Sequence, residues 1–144
     1  MTDLNDLLIS DAPVAHQLEH PMTFEPLTNK KGEPMEVLLL GPDAEAAKIV
    51  ERKISADMLQ RASRSRKGRL ELTPEITEAH ARRRFLARLA GWNNLELGGK
   101  KFEYNDANKN AVYDEAKFGM IKRQIDAALA DDAAFLQSAN SLLD

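Results

Sequence analysis

The chain has 144 residues, 43% of them hydrophobic and 30% charged, which is the length of one domain and a composition that excludes wholesale disorder. The absence of cysteine removes disulfides, thiolate metal sites and cysteine nucleophiles, and 6% aromatics poorly supply a base-stacking platform or a β-sandwich core. Net charge is −3 but unevenly laid: residues 1–51 carry 3 basic and 10 acidic side chains, residues 52–88 carry 11 and 4, and residues 102–144 carry 4 and 8. Such alternation suits a charged partner, or attraction between segments of one fold or between copies. No apolar run reaches the roughly 20 residues that span a bilayer, and the start is acidic rather than signal-like. A soluble, untargeted protein is expected.

Residues 1–21 hold a weak apolar cluster at Leu4, Leu7, Leu8 and Ile9, then Pro13 and Pro21, which interrupt any longer helix. They read as a flexible N-terminal arm, with residues 22–144 as a single, mostly helical domain. Within 22–40, two short extended runs, TFEPL and MEVLLL, flank the polar turn Asn29-Lys30-Lys31-Gly32 and predict a β-hairpin that must pack on something else. Gly41-Pro42-Asp43 opens a helix, and Ala47, Val50, Ile54 and Met58 share one of its faces up to about Ala62. Ser63–Arg69 lacks apolar residues and predicts an exposed linker. Thr73-Pro74 is a second start signal, with Ile76, Ala79, Phe85, Leu86 and Leu89 on the apolar side and Gly91 as the expected stop.

After Gly91, the stretch from Trp92 through Gly98-Gly99 to Tyr104 reads as an extended loop with two apolar anchors. Asn105 or Asp106 caps a short helix to about Tyr113, and Phe118, Ile121, Ile125 and Leu129 line a last one, with Phe135, Leu136 and Leu142 beyond. The expected fold class is therefore mainly α: about four helices with a short N-terminal β-hairpin.

Candidate chemistry is sparse. Asp106, Asn108, Asn110 and Asp114 imitate the start of a calcium loop, but Ala111 stands where the loop needs Gly and Lys117 where it needs a bidentate Glu. His16 and His20 have a spacing that places two imidazoles on one helical face, yet prolines bracket them and no third ligand accompanies them. His80 has no nucleophile pattern beside it, no serine lies in a GxSxG or SxxK setting, and Gly98-Gly99-Lys100 lacks the spacing of a phosphate loop. No enzyme, cofactor or metal is expected. Arg61, Arg64, Arg66, Lys67 and Arg69, with Arg82, Arg83, Arg84 and Arg88, form the strongest residue-level signal, because clustered cations neutralise phosphates. A solvated face or a protein contact is the stronger explanation on charge alone. Trp92, Phe102 and Tyr104 around the glycine turn are either a packed corner or an exposed interaction hot spot.

The run LAGWNNLELGGKKFEY, followed by NDANKNAVYDE and MIKRQIDAALADDAAFL, resembles the small tail assembly chaperone family of long-tailed bacteriophages and prophages. The matching positions are Gly91, Trp92, Leu97, Gly99, Phe102, Tyr104, Asn108, Ile121, Ile125, Ala128 and Phe135, and the hairpin with GPDAEAAKIVERK extends the likeness over residues 22–136. Lys101 stands where the family often has Pro, and Ala107-Asn108 where it often has Glu-Asn. The resemblance implies a non-enzymatic protein of the host bacterial cytoplasm, absent from the mature virion. Such a protein binds and solubilises the tape measure protein and recruits tail tube subunits, with self-association allowed and membrane and nucleic acid disfavoured as partners. The expected partner-binding surface combines Trp92, Phe102 and Tyr104 with Arg61, Arg64, Arg66, Lys67 and Arg69. The competing expectations are a small nucleic-acid-binding or regulatory protein using residues 61–88, and a structural head-tail connector.

Overall fold

The computed structural model describes residues 4–8, 12–65 and 72–136. Strands β1 (Val14–Gln17), β2 (Glu36–Leu39) and β3 (Leu89–Asn93) form an antiparallel sheet in the order β1-β2-β3. Helices α1 (Glu45–Arg64) and α2 (Pro74–Arg88) form an antiparallel pair between β2 and β3. A small hairpin, β4 (Glu96–Leu97) and β5 (Lys100–Lys101), precedes α3 (Asp106–Asp114) and α4 (Gly119–Ala130). Among the described residues, no helix is long and apolar enough to cross a membrane. The fold is mixed α/β rather than mainly α: four helices and a hairpin near the N-terminus are present, but the sheet is integral to the core.

That sheet corrects two readings. MEVLLL does supply β2, and Asn29–Gly32 does turn, with the Gly32 amide donating to the Asn29 carbonyl. The partner strand, however, is Val14–Gln17, in the region read as a flexible arm, and not TFEPL. Val14 pairs with Leu39 and His16 with Val37, so Val14, Val37 and Leu39 turn inward together and are buried; that burial offsets the cost of ordering the segment. TFEPL becomes part of a double-back: the Leu27 amide donates to Leu18 and the Met35 amide to Leu27, which inserts the chain beside the sheet as irregular extended structure. The second correction is Gly91, which sits inside β3 opposite Leu38 instead of stopping α2. A Cβ there would come to 3.3 Å of the Leu38 side chain, so the missing side chain serves strand packing.

The start signals of α2 and α3 are realised, whereas α1 begins at Glu45 after Ala44 with no side-chain cap, so Asp43 does not cap it. Thr73 accepts from the Ile76 amide with Pro74 at the first helical position, and Asn105 accepts from the Asn108 amide, both ordinary N-terminal caps. Gly98 and Gly99 take φ of +62° and +80°, the mirror-image turn that suits a two-residue hairpin. The core joins Val14, Leu18, Val37 and Leu39 to Phe85, Leu89, Trp92 and Leu95, and to Val112, Phe118, Ile125, Ala128 and Phe135. Leu142 lies outside the described residues.

Candidate functional site

Among the described residues of the expected contact surface, Arg61 and Arg64 do not meet the aromatic corner. Trp92 is 8% exposed, stacked on Phe102 with ring centroids 5.3 Å apart and edge-on to Tyr104 at 5.0 Å. Its indole N–H donates to the Phe102 carbonyl at 2.7 Å, and the Tyr104 hydroxyl donates to the Leu89 carbonyl at 2.7 Å. The corner is thus a packed part of the core that ties the β4–β5 hairpin to β3, with Tyr104 partly exposed. Arg61 and Arg64 sit on the last turns of α1, level with the start of α2, whereas Trp92 lies beyond the end of α2. At about 1.5 Å per helical residue this separates them by roughly 20 Å. Arg66, Lys67 and Arg69 lie outside the described residues.

Three arginines of the basic segment, Arg61, Arg82 and Arg84, are compensated from within. The Arg61 guanidinium donates to Asp57 at 2.8 Å and Arg84 to Glu51 at 2.6 Å. Arg82 donates to both carboxylate oxygens of Asp114 and to Asn110, which engages two of the four oxygen-bearing side chains of the calcium-like run with a guanidinium. Arg88 is half-buried: its Nε donates to the Leu40 carbonyl and its guanidinium lies 5.2 Å from the Phe135 ring centroid. Burial lowers its pKa, with Asp132 opposing. These pairs leave less positive surface for phosphate than the residue count of segment 61–88 implies.

His80 is the one buried polar side chain among the described residues, and its Nε2 lies 3.1 Å from Asp57 on α1. Asp57 therefore faces both Arg61 and His80, whose hydrogen bonds hold its carboxyl below the ordinary 3.8. Arg82 does the same for Asp114. A carboxyl depressed in the folded state contributes stability that is present above its ordinary range and lost as pH falls through the lowered value. Melting temperature should accordingly be flat near neutrality and drop below about pH 4, and Asp57→Asn should shallow that drop. Equal pH dependence in the two proteins would exclude this latch between α1 and α2.

The surface that does present apolar groups was not legible in the sequence. His16, Glu19, His20, Pro21 and Phe24 on one side, with Met120, Arg123, Gln124, Ala127, Ala128, Asp131 and Ala134 on the other, enclose a groove of about 500 Å³. Through His16, Ala128 and Ala134 it continues into a cleft of about 130 Å³ that also touches Val14, Ala15 and Phe135. Two backbone features shape its rim. The Glu19 amide and carbonyl are both held by the Gln124 side-chain amide, at 2.9 and 2.7 Å. The turn at Pro21–Phe24 closes on His20, whose Nδ1 accepts from the Met22 amide at 3.1 Å and whose carbonyl accepts from Phe24. His16 and His20 are therefore on a strand and a turn and not on one helical face; among the described residues no group of three metal-binding side chains occurs.

Phe24 has φ +60°, a left-handed conformation that costs a non-glycine residue on the order of 1 kcal/mol. It holds an aromatic ring 73% exposed, and Met120, which lines the same groove, is 52% exposed. The left-handed backbone thus displays an apolar ring at the mouth of the groove. No family model matches the chain, and no curated protein or solved structure matches it.

Proposed function

We propose that the protein is a non-enzymatic tail assembly chaperone of the kind its sequence resembles. In this reading it binds a tape measure protein in the cytoplasm of the host, keeps it soluble while tail tube subunits assemble, and leaves before the virion is complete. The observation that carries the reading is the groove between residues 16–24 and α4, lined by the exposed Phe24 and Met120. A long, largely helical partner exposes apolar stripes before assembly, and a groove with alanine walls and flexible methionine at its mouth accommodates such surfaces without a fixed side-chain code. The contact surface moves accordingly, from the aromatic corner to the groove.

Co-expression with the tape measure protein tests this directly: the partner should become soluble and co-elute. Partner that stays insoluble, together with DNA binding that falls steeply between low and moderate salt, would replace this reading with a nucleic-acid-binding one. Phe24→Gly gives a sharper form of the same test. Relief of the left-handed strain should hold or raise stability, by up to about 1 kcal/mol, because the ring is exposed. Loss of the ring should weaken partner solubilisation. A variant that is as stable as the parent and still fully solubilises the partner would remove Phe24 from the contact.

A further inference from the structure

Helix α1 carries apolar residues on two opposite faces. One of them, with Ala47, Val50, Ile54 and Met58, meets α2, where Glu51 pairs with Arg84 and Asp57 with His80, and Ala47 and Ile54 are buried there. Half a turn round the helix, Ile49, Arg52, Ala56, Leu59 and Ser63 are all exposed, Leu59 at 76%. Ile49, Ala56 and Ser63 follow at intervals of seven residues, and so do Arg52 and Leu59. The five therefore lie on one line with the alternating three-and-four spacing of a coiled-coil seam. A stripe this narrow suits another helix, whereas a membrane surface or a core takes a broader face.

The charges beside this line are not neutralised as those facing α2 are. Lys48 and Lys53 flank Ile49 at the positions that meet the flanks of a partner helix, and among the described residues neither forms an ion pair. Arg52 lies 3.7 Å from Glu45 with the two side chains 68% and 73% exposed, a pair that contributes little. A second copy of α1 supplies no acid to these cations. In a parallel pair Lys48 meets the other Lys53, and in an antiparallel pair that sets Ile49 on Leu59, Lys48 and Lys53 meet Gln60 and Ser55. The complement is a helix of opposite sign.

We propose that the outer face of α1 is a docking line for an acidic amphipathic helix of a partner protein. Apolar residues at that helix's heptad seam pack on Ile49, Ala56 and Leu59, and carboxylates on its flanks meet Lys48, Arg52 and Lys53. The line shares no residue with the groove, so it stands whatever binds there.

Two synthetic peptides of about three heptads test it, both with Ile and Leu at the seam, one with Glu and the other with Lys at every flanking position. Like-charged flanks keep each peptide from pairing with itself. Titrated with the full chain and read by fluorescence anisotropy, the Glu peptide should bind on the order of ten-fold tighter than the Lys peptide, and added salt should narrow the gap. Leu59→Asp should weaken the Glu peptide on the order of ten-fold. Lys48→Glu combined with Lys53→Glu should reverse the order of the two peptides, a result that loss of folding does not produce. All three positions are exposed, so the variants should melt with the parent. Phe24→Gly should leave both affinities unchanged, which keeps this line apart from the groove. A Glu peptide that does not bind, or that binds no tighter than the Lys peptide, overturns the proposal. So does an order of affinities that survives the double charge reversal, binding that Phe24→Gly removes, or self-association of the chain alone that Leu59→Asp abolishes, since a second copy would then be the occupant.

Discussion

Replacing Trp92 with alanine should destabilise the fold by about 3–5 kcal/mol, the range for deleting a large buried aromatic. The ring is the meeting point of three elements. It stacks on Phe102, takes Tyr104 edge-on, and through Phe102 reaches Phe118 at the start of α4, 5.4 Å between centroids. Its removal also leaves the Phe102 carbonyl without the indole donor. In a chain of this size the loss corresponds to a melting temperature lower by about 10 °C or more. Trp92→Phe keeps an aromatic body and gives up the N–H, so its cost should be well under half as large. Tyr104→Phe, which removes one hydrogen bond to Leu89, should cost about 1 kcal/mol. A Trp92→Ala protein that melts with the parent but fails to bind its partner would return the ring to the contact surface. The geometry leads to the opposite result, because a side chain 8% exposed has little area left for a partner.

Helices were legible because their signals are local. A Thr followed by Pro, an Asn three residues ahead of the amide it caps, and apolar residues every three or four positions lie inside the segment they describe. Thr73 and Asn105 perform those roles in the structure. Strands of four or five residues carry no such label. Whether VAHQ is an arm or an edge strand depends on Leu39 and Val37, about twenty residues away, and β3 reaches β2 from about fifty residues further on. The same limit hid Gly91. A glycine after an amphipathic run reads locally as a helix stop, while its use here is to let Leu38 cross the neighbouring strand.

The groove was still less accessible, since its two walls are about a hundred residues apart in sequence. One of its signals was visible in outline. His16 and His20 drew notice as a spaced pair, and both do line the groove, but with other work: His20 accepts the amides that hold the Phe24 turn. The conformation of Phe24 has no sequence signature, because nothing in TFEPL marks one residue for a positive φ. The charge pattern was visible and its meaning was not. Glu51 of α1 and Asp114 of α3 meet Arg84 and Arg82 of α2, so part of the alternation of sign along the chain is attraction between segments of one fold.

Phe135→Ala should cost a comparable 3–5 kcal/mol and should also loosen the groove. Phe135 is 2% exposed at the end of a short 3-10 turn, Asp132–Phe135, and it packs so tightly on Gly41 that a Cβ there would lie 3.2 Å from its own Cβ. On its other side the Arg88 guanidinium covers the ring, with one terminal nitrogen buried and without a partner among the described residues. Truncation removes the ring that shields this charge, admits water to it, and relieves the burial that lowers the Arg88 pKa. The neighbouring Ala134 is a wall of both the groove and its narrow extension, so the same change frees that wall from the core. Denaturant unfolding should show a lower midpoint with an unchanged slope, and Phe135→Leu, which refills much of the volume, should recover most of the loss. A loss below about 1 kcal/mol for the alanine variant would mean that the turn is not seated on the core. The groove would then lack the rigid wall that a partner requires.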